Sequence, residues 1–592
     1  MRVFPFITAA LFLTAAAVQA SADIELVKDG RTKYCIVLAK DASPSEHWAA
    51  SELKLFMRQM SGVVLSYAPD GENVPEKAIL LGNCEALKSL GVNIDFNDLG
   101  DEGFIIKTVG DRIVIAGGKL RGTMYGVHSF LESLGCRFLT NTVNKVPKKS
   151  DITLGNIDTK EKPAFEYREV LIREAMQPDY AARNRCNSNS AGLDAKRGLG
   201  VFYYPFVHSF YQLVPGEIYW DTHPEYYSMV KGERVKQPTQ LCMSNPEVVK
   251  IATQTVLDWM RDHPEAKIYS VSQNDCQNRC ECPACKAIEE EEGSPSGLLL
   301  RFVNAIAAET AKVYPDKLVD TLAYMWTEKP CKITKPLPNV RVRLCPIYCC
   351  EAHPYETCDF KSNVDYMDNL KAWSQITNNL YIWHYNTDFS HYLMPFPDYR
   401  QLMDTAKLYK KYGVKGIFWE GNYNGGISEL GELRSYLLAK ISWNPDIDGD
   451  AVMREFCDDY YGKSGKYIYE YIQTLEDKVT NDNIHMRIWS DPNSQYVSPD
   501  IIAKLDTIMN SAIAVADSPD ILYRVKQACL PLKYVKLMQP IMRKEIKGNK
   551  TEYEKKVDEF IEECSSFGVT RINEWRPNDK WVADTKALIN KQ

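Results

Sequence analysis

The chain has 592 residues, of which 45% are hydrophobic and 25% are charged, and its formal net charge is −7. This length exceeds what one hydrophobic core usually supports, so it predicts several domains. The negative balance, without any basic block, excludes the electrostatic footprint of a nucleic-acid-binding protein.

The first 20 residues have the pattern of a secretory signal peptide. Arg2 precedes an apolar run that ends at Val18, and small residues surround the expected cleavage position after Ala20. The run is too short for a stable membrane span, and no later segment is long and apolar enough to form one. We therefore expect an exported protein without a membrane span, in the periplasm or on the cell surface.

Residues 23–142 alternate strand and helix patterns and predict a small α+β domain. The first helix is predicted to begin at Ser43-Pro44 and to end at Gly62. The remaining predicted elements are strands at 35–38, 78–81, 103–107 and 112–116 and a second helix over 121–134. The stretch 143–164, rich in Lys, Thr, Asn and Pro, predicts a linker.

Residues 165–445 predict an α/β fold, a (β/α)8 or TIM barrel. Near-continuous apolar strands alternate here with amphipathic helices, which is typical of parallel strands covered by helices. Eight such units fit a closed barrel better than an open sheet. The predicted strands are 166–174, 202–208, 240–243, 267–274, 318–326, 340–348, 379–386 and 414–420. Residues 446–592 lose the strand pattern and predict a helical C-terminal domain.

Polar side chains follow the barrel strands at their C-terminal ends, where such barrels carry their catalytic residues. The fourth predicted strand ends at Asn274-Asp275, the fifth at Glu328 and the eighth at Glu420. Glycoside hydrolysis requires two carboxyl groups, because one protonates the leaving oxygen while the other stabilises or captures the oxocarbenium-like centre. Each carboxylate alone could instead cap a helix or form a weak surface ion pair, so the inference depends on their convergence.

Two cysteine groups lie close to these strand ends. The first is Cys276, Cys280, Cys282 and Cys285, and the second is Cys345, Cys349, Cys350, His353 and Cys358. Spacing of this kind suits a zinc site, whereas an oxidising compartment favours disulfides. Because the chain has 17 cysteines, at least one would be free or metal-bound if the others pair. We expect a structural role for both groups, no catalytic metal and, since nucleotide-binding and zincin motifs are missing, no cofactor.

Two parts of the sequence resemble known families. Residues 121–138, beginning Arg121-Gly122-Thr123-Met124-Tyr125-Gly126-Val127, resemble the N-terminal domain shared by family 20 hexosaminidases and family 67 α-glucuronidases. A second set of motifs resembles the domain of unknown function 4838, which is similar to glycoside hydrolase family 163, the endo-β-N-acetylglucosaminidases of gut Bacteroides; together the two resemblances cover the chain from about residue 30 to 460. These motifs are His208-Ser209-Phe210, His223-Pro224-Glu225-Tyr226-Tyr227, Leu241-Cys242-Met243-Ser244-Asn245-Pro246, Ser272-Gln273-Asn274-Asp275 and Cys280-Glu281-Cys282-Pro283-Ala284-Cys285.

The resemblance implies a glycan or glycoprotein substrate and cleavage of the GlcNAc-β1,4-GlcNAc core of complex N-glycans. Related hexosaminidases use the acetamido oxygen of the substrate as the nucleophile, so the protein supplies one group for the acetamide and one acid. Family 20 carries adjacent Asp-Glu after strand four, where this chain has Asn274-Asp275. The resemblance therefore assigns Asp275, together with Asn274, to the acetamide, and we expect Glu420, or else Glu328, to be the acid.

The remaining polar and aromatic residues at the strand ends are expected to bind the substrate; they are His208, Tyr324, His384, Asn386 and Trp419. Two alternatives stay open. The chain could be an exo-acting hexosaminidase or an α-glucuronidase-like enzyme, the latter requiring basic residues for a uronate. It could also be a non-catalytic glycan-binding protein on a barrel scaffold.

Overall fold

The computed structural model describes residues 23–546 and 548–592, so the predicted signal peptide lies outside the described residues. The described chain contains an N-terminal α+β unit, a curled parallel sheet covered by helices, and a C-terminal group of helices. The fold class predicted from the sequence is confirmed. Within residues 23–546 and 548–592, no helix is both long enough and apolar enough to cross a membrane.

The N-terminal unit is built on one six-stranded sheet. Its strands are β1 (Cys35–Leu38), β2 (Ser66–Ala68), β3 (Ala78–Leu81), β4 (Phe104–Val109), β5 (Arg112–Gly117) and β6 (Asp158–Glu161). They are ordered β6-β4-β5-β3-β1-β2, and helices α1 (Pro44–Ser61) and α2 (Gly122–Ser133) accompany them. Ser43 and Glu46 form a capping box at the start of α1, and Gly62 in the left-handed conformation ends it, as predicted.

The segment 143–164, which was predicted to be a linker, is structured. It contains the strands Asn144–Lys145 and Ile152–Leu154 as well as β6, which pairs antiparallel with β4 at the edge of the sheet. The side chains of β6 are largely exposed and charged, as is common on an edge strand. Such a strand has no apolar alternation, so the sequence pattern did not reveal it.

Seven parallel strands form the barrel sheet. They are β7 (Tyr167–Leu171), β8 (Tyr203–Tyr204), β9 (Ile268–Ser270), β10 (Leu318–Ala323), β11 (Val340–Leu344), β12 (Leu380–Tyr385) and β13 (Gly416–Glu420). Their order is β7-β13-β12-β11-β10-β9-β8. The covering helices are α3 (Pro246–Asp262), α4 (Pro283–Glu292), α5 (Pro295–Val313), α6 (Lys361–Ile376), α7 (Tyr399–Lys411) and α8 (Gly431–Trp443).

Two asparagines bridge the gap between the two end strands of this sheet. The Asn187 amide oxygen accepts from the Arg168 backbone N–H of β7 at 2.9 Å, and its carbonyl accepts from Val201 N–H at 3.0 Å. The Asn189 side chain accepts from Tyr203 N–H of β8 at 2.8 Å. The segment around Asn187 therefore occupies the place of the eighth strand, and side-chain amides replace part of the ladder.

The prediction of a strand at 240–243 is wrong. Leu241 makes only an isolated bridge to Tyr227, and Gln240 instead donates from its side-chain amide to the carbonyls of Asn274 and Cys276, each at 2.8 Å. This apolar segment is buried against the loop that follows β9 rather than in the sheet. Burial without sheet pairing produces the same short apolar run as a buried strand.

A buried ion pair and aromatic rings fill the interior of the barrel. Arg343 of β11 is completely buried, with its guanidinium carbon 4.6 Å from the ring centre of Tyr203 and its Nε 3.7 Å from an oxygen of Asp320. Tyr167, Tyr381 and other barrel residues pack around it. The interior is thus a packed core.

The C-terminal region is helical, as predicted. Its helices are α9 (Gly449–Tyr461), α10 (Gly465–Asn481), α11 (Pro499–Ala514), α12 (Pro519–Ala528), α13 (Leu530–Met542), α14 (Lys550–Ser566) and α15 (Asn578–Asn590). Two of its loops reach the barrel at Phe389, which follows β12. Phe389 N–H donates to the Ile488 carbonyl at 2.9 Å, and its own carbonyl accepts from Glu574 N–H at 3.0 Å.

Candidate active site

A cavity of about 340 Å³ opens at the C-terminal ends of the barrel strands. Strands or the residues just after them contribute most of its wall, and the two C-terminal loops contribute the rest. Its lining residues are His208, Asp275, Leu322, Tyr324, Cys345, Ile347, Trp383, Tyr385, Phe389, Glu420, Ile488, Trp489, Glu574 and Trp575. Four of the residues selected from the sequence, Asp275, Glu420, His208 and Tyr324, therefore line one cavity.

Asp275 and Tyr324 form a hydrogen-bonded pair on one side of the cavity. The Tyr324 hydroxyl donates to Asp275 Oδ1 at 3.1 Å. Burial and the nearby Asp275 carboxylate both raise the pKa of Tyr324, so its phenol stays protonated and can donate. Asp275 itself is exposed to solvent at the cavity. This arrangement orients a carboxylate whose remaining lone pairs can accept from a ligand N–H or O–H.

Glu420 is the carboxyl group best suited to donate a proton. It ends β13, and its Oε2 accepts from the Trp383 indole N–H at 2.7 Å. Burial raises the pKa of Glu420 to about 8; the Trp383 hydrogen bond lowers it, whereas the charges of Glu574 and Asp275 raise it. Glu420 is therefore mostly protonated at neutral pH, although it faces an open cavity.

The alternation of side-chain direction along each strand decides which residues near its end line the cavity. Along β12, Trp383 and Tyr385 line it, whereas His384 between them is fully buried, with Nδ1 3.0 Å from the Tyr409 hydroxyl of α7. Successive side chains of a strand point to opposite faces, so residues next to a cavity-lining position face the helices.

Trp419 follows the same rule on β13. Its indole N–H donates to Ser442 Oγ of α8 at 2.8 Å, away from the cavity that Glu420 lines. Asn386 is also buried outside the lining, beside Gly421. The structure therefore separates His384, Asn386 and Trp419 from the other residues predicted to bind the substrate.

Glu328 and Asn274 also lie outside the cavity lining. The Glu328 carboxylate accepts from Asn369 Nδ2 of α6 at 3.0 Å, and burial raises its pKa to about 7. The Asn274 amide donates to the Thr239 carbonyl at 2.8 Å and accepts from Tyr211 N–H at 3.2 Å. Asn274 thus holds neighbouring loops together beneath Asp275, whereas Glu328 faces a helix.

His208 lines the cavity in a strained conformation. Its φ is 55°, in the left-handed region that costs energy for a residue with a side chain. Two contacts hold it there: its N–H donates to Ser272 Oγ at 2.8 Å, and its Nδ1 lies 2.8 Å from the Gln273 carbonyl. Because a carbonyl only accepts, Nδ1 donates in this contact, which leaves Nε2 as the ring nitrogen available to a ligand.

The helical C-terminal region adds residues that the sequence analysis missed. Glu574 is a third carboxyl group in the cavity; its Oε1 accepts from the Tyr423 hydroxyl at 3.2 Å, and burial raises its pKa. Trp489 and Trp575 are 38% and 58% exposed and offer apolar faces at the rim. No motif marks these positions, because they become neighbours of the barrel strands only through the tertiary fold.

Two clusters of side chains next to this site have the composition of metal sites. The first, the four-cysteine cluster, contains Cys242, Cys280, Cys282 and Cys285, and the second, the mixed cluster, contains Cys350, His353, Cys358 and His485. Cys276, which the sequence analysis grouped with the first cluster, is not part of it. All 17 cysteines lie among the described residues, and none of them forms a disulfide bond.

Comparison with known proteins places this chain in a family. The family model described as a domain of unknown function, DUF4838, matches residues 138–473, which is more than half of the chain. The chain belongs to this family. Residues 25–130 match the model of the N-terminus of glycosyl hydrolase family 67. Both matches confirm resemblances drawn from the sequence, whereas membership of family 163 stays a prediction. No curated protein matches the chain.

Two solved structures with a similar fold are glycoside hydrolases. One is a family GH115 4-O-methyl-α-glucuronidase with specificity for decorated arabinogalactans; it is 12% identical with a TM-score of 0.60, over 95% of this chain and 80% of that one. Another is a GH138 enzyme targeting pectin rhamnogalacturonan II, 10% identical with a TM-score of 0.50, over 94% of this chain and 79% of that one. The DUF4838 chain therefore has a glycoside-hydrolase-like fold.

Proposed function

We propose that this DUF4838 chain is an exported glycoside hydrolase, an endo-β-N-acetylglucosaminidase that cleaves the GlcNAc-β1,4-GlcNAc core of complex N-glycans. The proposal rests on the presence in one cavity, at the C-terminal ends of the barrel strands, of Asp275 and of Glu420, whose pKa burial raises to about 8. Glycosidic cleavage requires two carboxyl groups at the scissile bond, one of which must hold a proton that it can donate.

In this proposal Glu420 is the general acid. Its carboxyl group holds a proton at neutral pH because burial disfavours the ionised form, and it donates that proton to the leaving glycosidic oxygen. The Trp383 indole N–H, 2.7 Å from Oε2, keeps the group oriented. After the proton is transferred, the same hydrogen bond stabilises the Glu420 carboxylate, which can then accept a proton from the incoming water.

Asp275 is proposed to act on the substrate's acetamido group. The carboxylate accepts from the acetamide N–H, which raises the electron density on the carbonyl oxygen that attacks the anomeric carbon. The bond to the leaving oxygen breaks as the oxazoline ring forms, and water later opens that ring with net retention. Tyr324, which donates to Asp275 at 3.1 Å, fixes the carboxylate in the required orientation.

The lining of the cavity favours a neutral sugar with an apolar substituent. Its acidic residues are Asp275, Glu420 and Glu574, and no lysine or arginine belongs to the described lining. A uronate would be repelled there, which argues against an α-glucuronidase-like substrate. Leu322, Ile347 and the aromatic residues supply surface for a methyl group, as an N-acetyl substituent requires.

An endo-acting enzyme must also bind sugars on both sides of the scissile bond. Trp489 and Trp575 lie at the rim on loops of the C-terminal region, partly exposed beyond the cavity. Their flat faces suit sugar rings outside the cavity. These two residues support an extended glycan as substrate in preference to a single terminal sugar.

The test is incubation of the protein with a glycoprotein carrying complex N-glycans, followed by mass analysis of the released glycan. We expect a product that ends in one reducing GlcNAc, and loss of that product with Glu420→Gln or Asp275→Asn. Glu328→Gln is the matched control, because Glu328 also has a raised pKa, about 7, but faces α6.

Other outcomes identify the alternatives. Release of single terminal sugars would indicate an exo-acting hexosaminidase, and release of a uronic acid would indicate a glucuronidase. Binding of the glycoprotein without any released product would show a glycan-binding protein. Loss of activity in Glu328→Gln together with full activity in Glu420→Gln would refute the assignment of the acid.

A further inference from the structure

The side chains of the four-cysteine cluster converge on one point. All four Sγ atoms lie within 4.8 Å of one another, and the thiols are buried. Cys242 Sγ is 3.7 Å from that of Cys282 and 3.9 Å from that of Cys285. A tetrahedral zinc ion with Zn–S bonds of about 2.3 Å separates its sulfur ligands by roughly 3.8 Å. The sulfur atoms therefore already have the spacing of a tetrahedral metal site.

Hydrogen-bond donors surround these sulfur atoms. Met229 N–H points at Cys280 Sγ from 3.4 Å, Arg234 Nη1 lies 3.7 Å from the same sulfur, and Ser244 Oγ lies 3.1 Å from Cys285 Sγ. Four thiolates around one divalent ion carry a net charge of −2, which N–H donors and a guanidinium stabilise. Isolated buried thiols would have no need of such partners.

The mixed cluster combines sulfur with imidazole nitrogen. The Cys350 Sγ to His353 Nδ1 distance is 3.5 Å, and Cys358 Sγ is 3.9 Å from His353 Nδ1 and 3.8 Å from His485 Nδ1. With Zn–N bonds of about 2.0–2.1 Å, a tetrahedral zinc ion places its nitrogen and sulfur ligands roughly 3.6 Å apart. This cluster also fits one tetrahedral ion.

The outer nitrogens of both histidines have acceptors. His353 Nε2 lies 3.1 Å from the Val479 carbonyl, and His485 Nε2 lies 3.2 Å from Asp359 Oδ1. Metal-bound imidazoles donate their other N–H to a carbonyl or a carboxylate, which fixes the tautomer and leaves the inner nitrogen free to bind the metal. Both rings have this arrangement, with Nδ1 facing the cluster.

We propose that this protein binds two structural zinc ions, one at the four-cysteine cluster and one at the mixed cluster. Each cluster offers four protein ligands and no open position, which is the pattern of a structural site rather than a catalytic one. Neither cluster belongs to the lining of the catalytic cavity. Among the common divalent ions, zinc is the one that prefers a tetrahedral set of thiolates, or of thiolates and imidazoles.

The positions of the two clusters indicate which segments of the chain each zinc ion would hold together. The four-cysteine cluster ties Cys242, which precedes α3, to the loop that runs from Asp275 to α4. The mixed cluster ties the loop after β11 to His485, three and four residues before the cavity-lining Ile488 and Trp489. Each ion would therefore fix one wall of the cavity, and the second would anchor the C-terminal region to the barrel.

Metal analysis of the purified full chain tests this proposal without reference to catalysis. We expect two zinc ions per chain by inductively coupled plasma mass spectrometry and by native mass spectrometry, with all 17 thiols free once the metal is removed under denaturing conditions. Cys285→Ser and His485→Gln should each leave one zinc ion per chain. Cys276→Ser, next to the four-cysteine cluster but outside it, should retain both.

Several results would overturn the proposal. One is a metal-free chain whose intact mass shows disulfides among these cysteines; another is iron in the four-cysteine cluster, recognised by its visible absorption. Equal zinc content in Cys285→Ser, His485→Gln and the wild type would also refute it. If a single variant fails to fold, the zinc stoichiometry of the wild-type chain still decides the question.

Discussion

Replacing Glu574 by glutamine should move the alkaline limit of activity to lower pH. The catalytic acid must be protonated, so kcat/KM should fall as the pH rises through the pKa of Glu420, about 8. At pH 7 this pKa keeps roughly ten Glu420 side chains protonated for each ionised one, whereas the ordinary value of 4.5 would leave roughly one in 300 protonated. Glu574 raises the pKa less than burial does, so its removal should lower the limit by only part of the rise from 4.5 to about 8.

The assay is the pH profile of kcat/KM on a chromogenic or glycopeptide substrate for the wild type and the variants. Trp383→Phe provides the opposite perturbation, because it removes the hydrogen bond that stabilises ionised Glu420, and its alkaline limit should move upward. Glu328→Gln should leave the limit in place. A wild-type limit near pH 5, or an upward shift in Glu574→Gln, would refute Glu420 as the buried acid.

Three further predictions concern stability and binding. Arg343→Met should lower the free energy of unfolding by about 3–5 kcal/mol in denaturant titrations, because it leaves Asp320 buried without its partner, and adding Asp320→Asn should recover part of the loss. Burial would raise the pKa of Glu102, but the charges of Arg168 and Arg121 lower it to about 2. The ionised carboxylate therefore contributes on the order of 3 kcal/mol to the free energy of unfolding above pH 4.5, and this contribution is lost as the pH falls towards 2. Thermal melts of Glu102→Gln should not show this loss of stability in acid. Trp575→Ala should raise KM for a glycoprotein more than it lowers kcat; an unchanged KM would argue against a role for the rim in binding.

The local sequence was sufficient to predict much of the fold. The helix α1 begins and ends as its capping serine and terminal glycine predicted, and strands β10 to β13 lie within their predicted ranges. These features depend on periodicity and capping within a few residues. The sequence did not predict strand β6, because its exposed side chains leave no apolar pattern. It did not predict the segment around Asn187 either, because side-chain hydrogen bonds replace part of the strand ladder there.

For the candidate site, the rule that catalytic groups follow barrel strands selected Asp275 and Glu420 among 78 acidic residues. It also selected His384 and Trp419, which the structure places behind the sheet. A sequence pattern shows where a strand ends only to within a few residues, and a difference of one residue reverses the face to which a side chain points. Strand membership was therefore predictable, whereas the direction of each side chain was not.

The sequence by itself determined the barrel, the helical C-terminal region and the set of strand ends from which a catalytic pair could come. Only the tertiary structure decided that Glu574 joins the cavity, that Cys242 completes the four-cysteine cluster in place of Cys276, and that His485 completes the mixed cluster. These residues are separated from their partners by tens to hundreds of positions along the chain. Local patterns carry no information about such contacts, because packing of whole elements, not neighbouring residues, brings the side chains together.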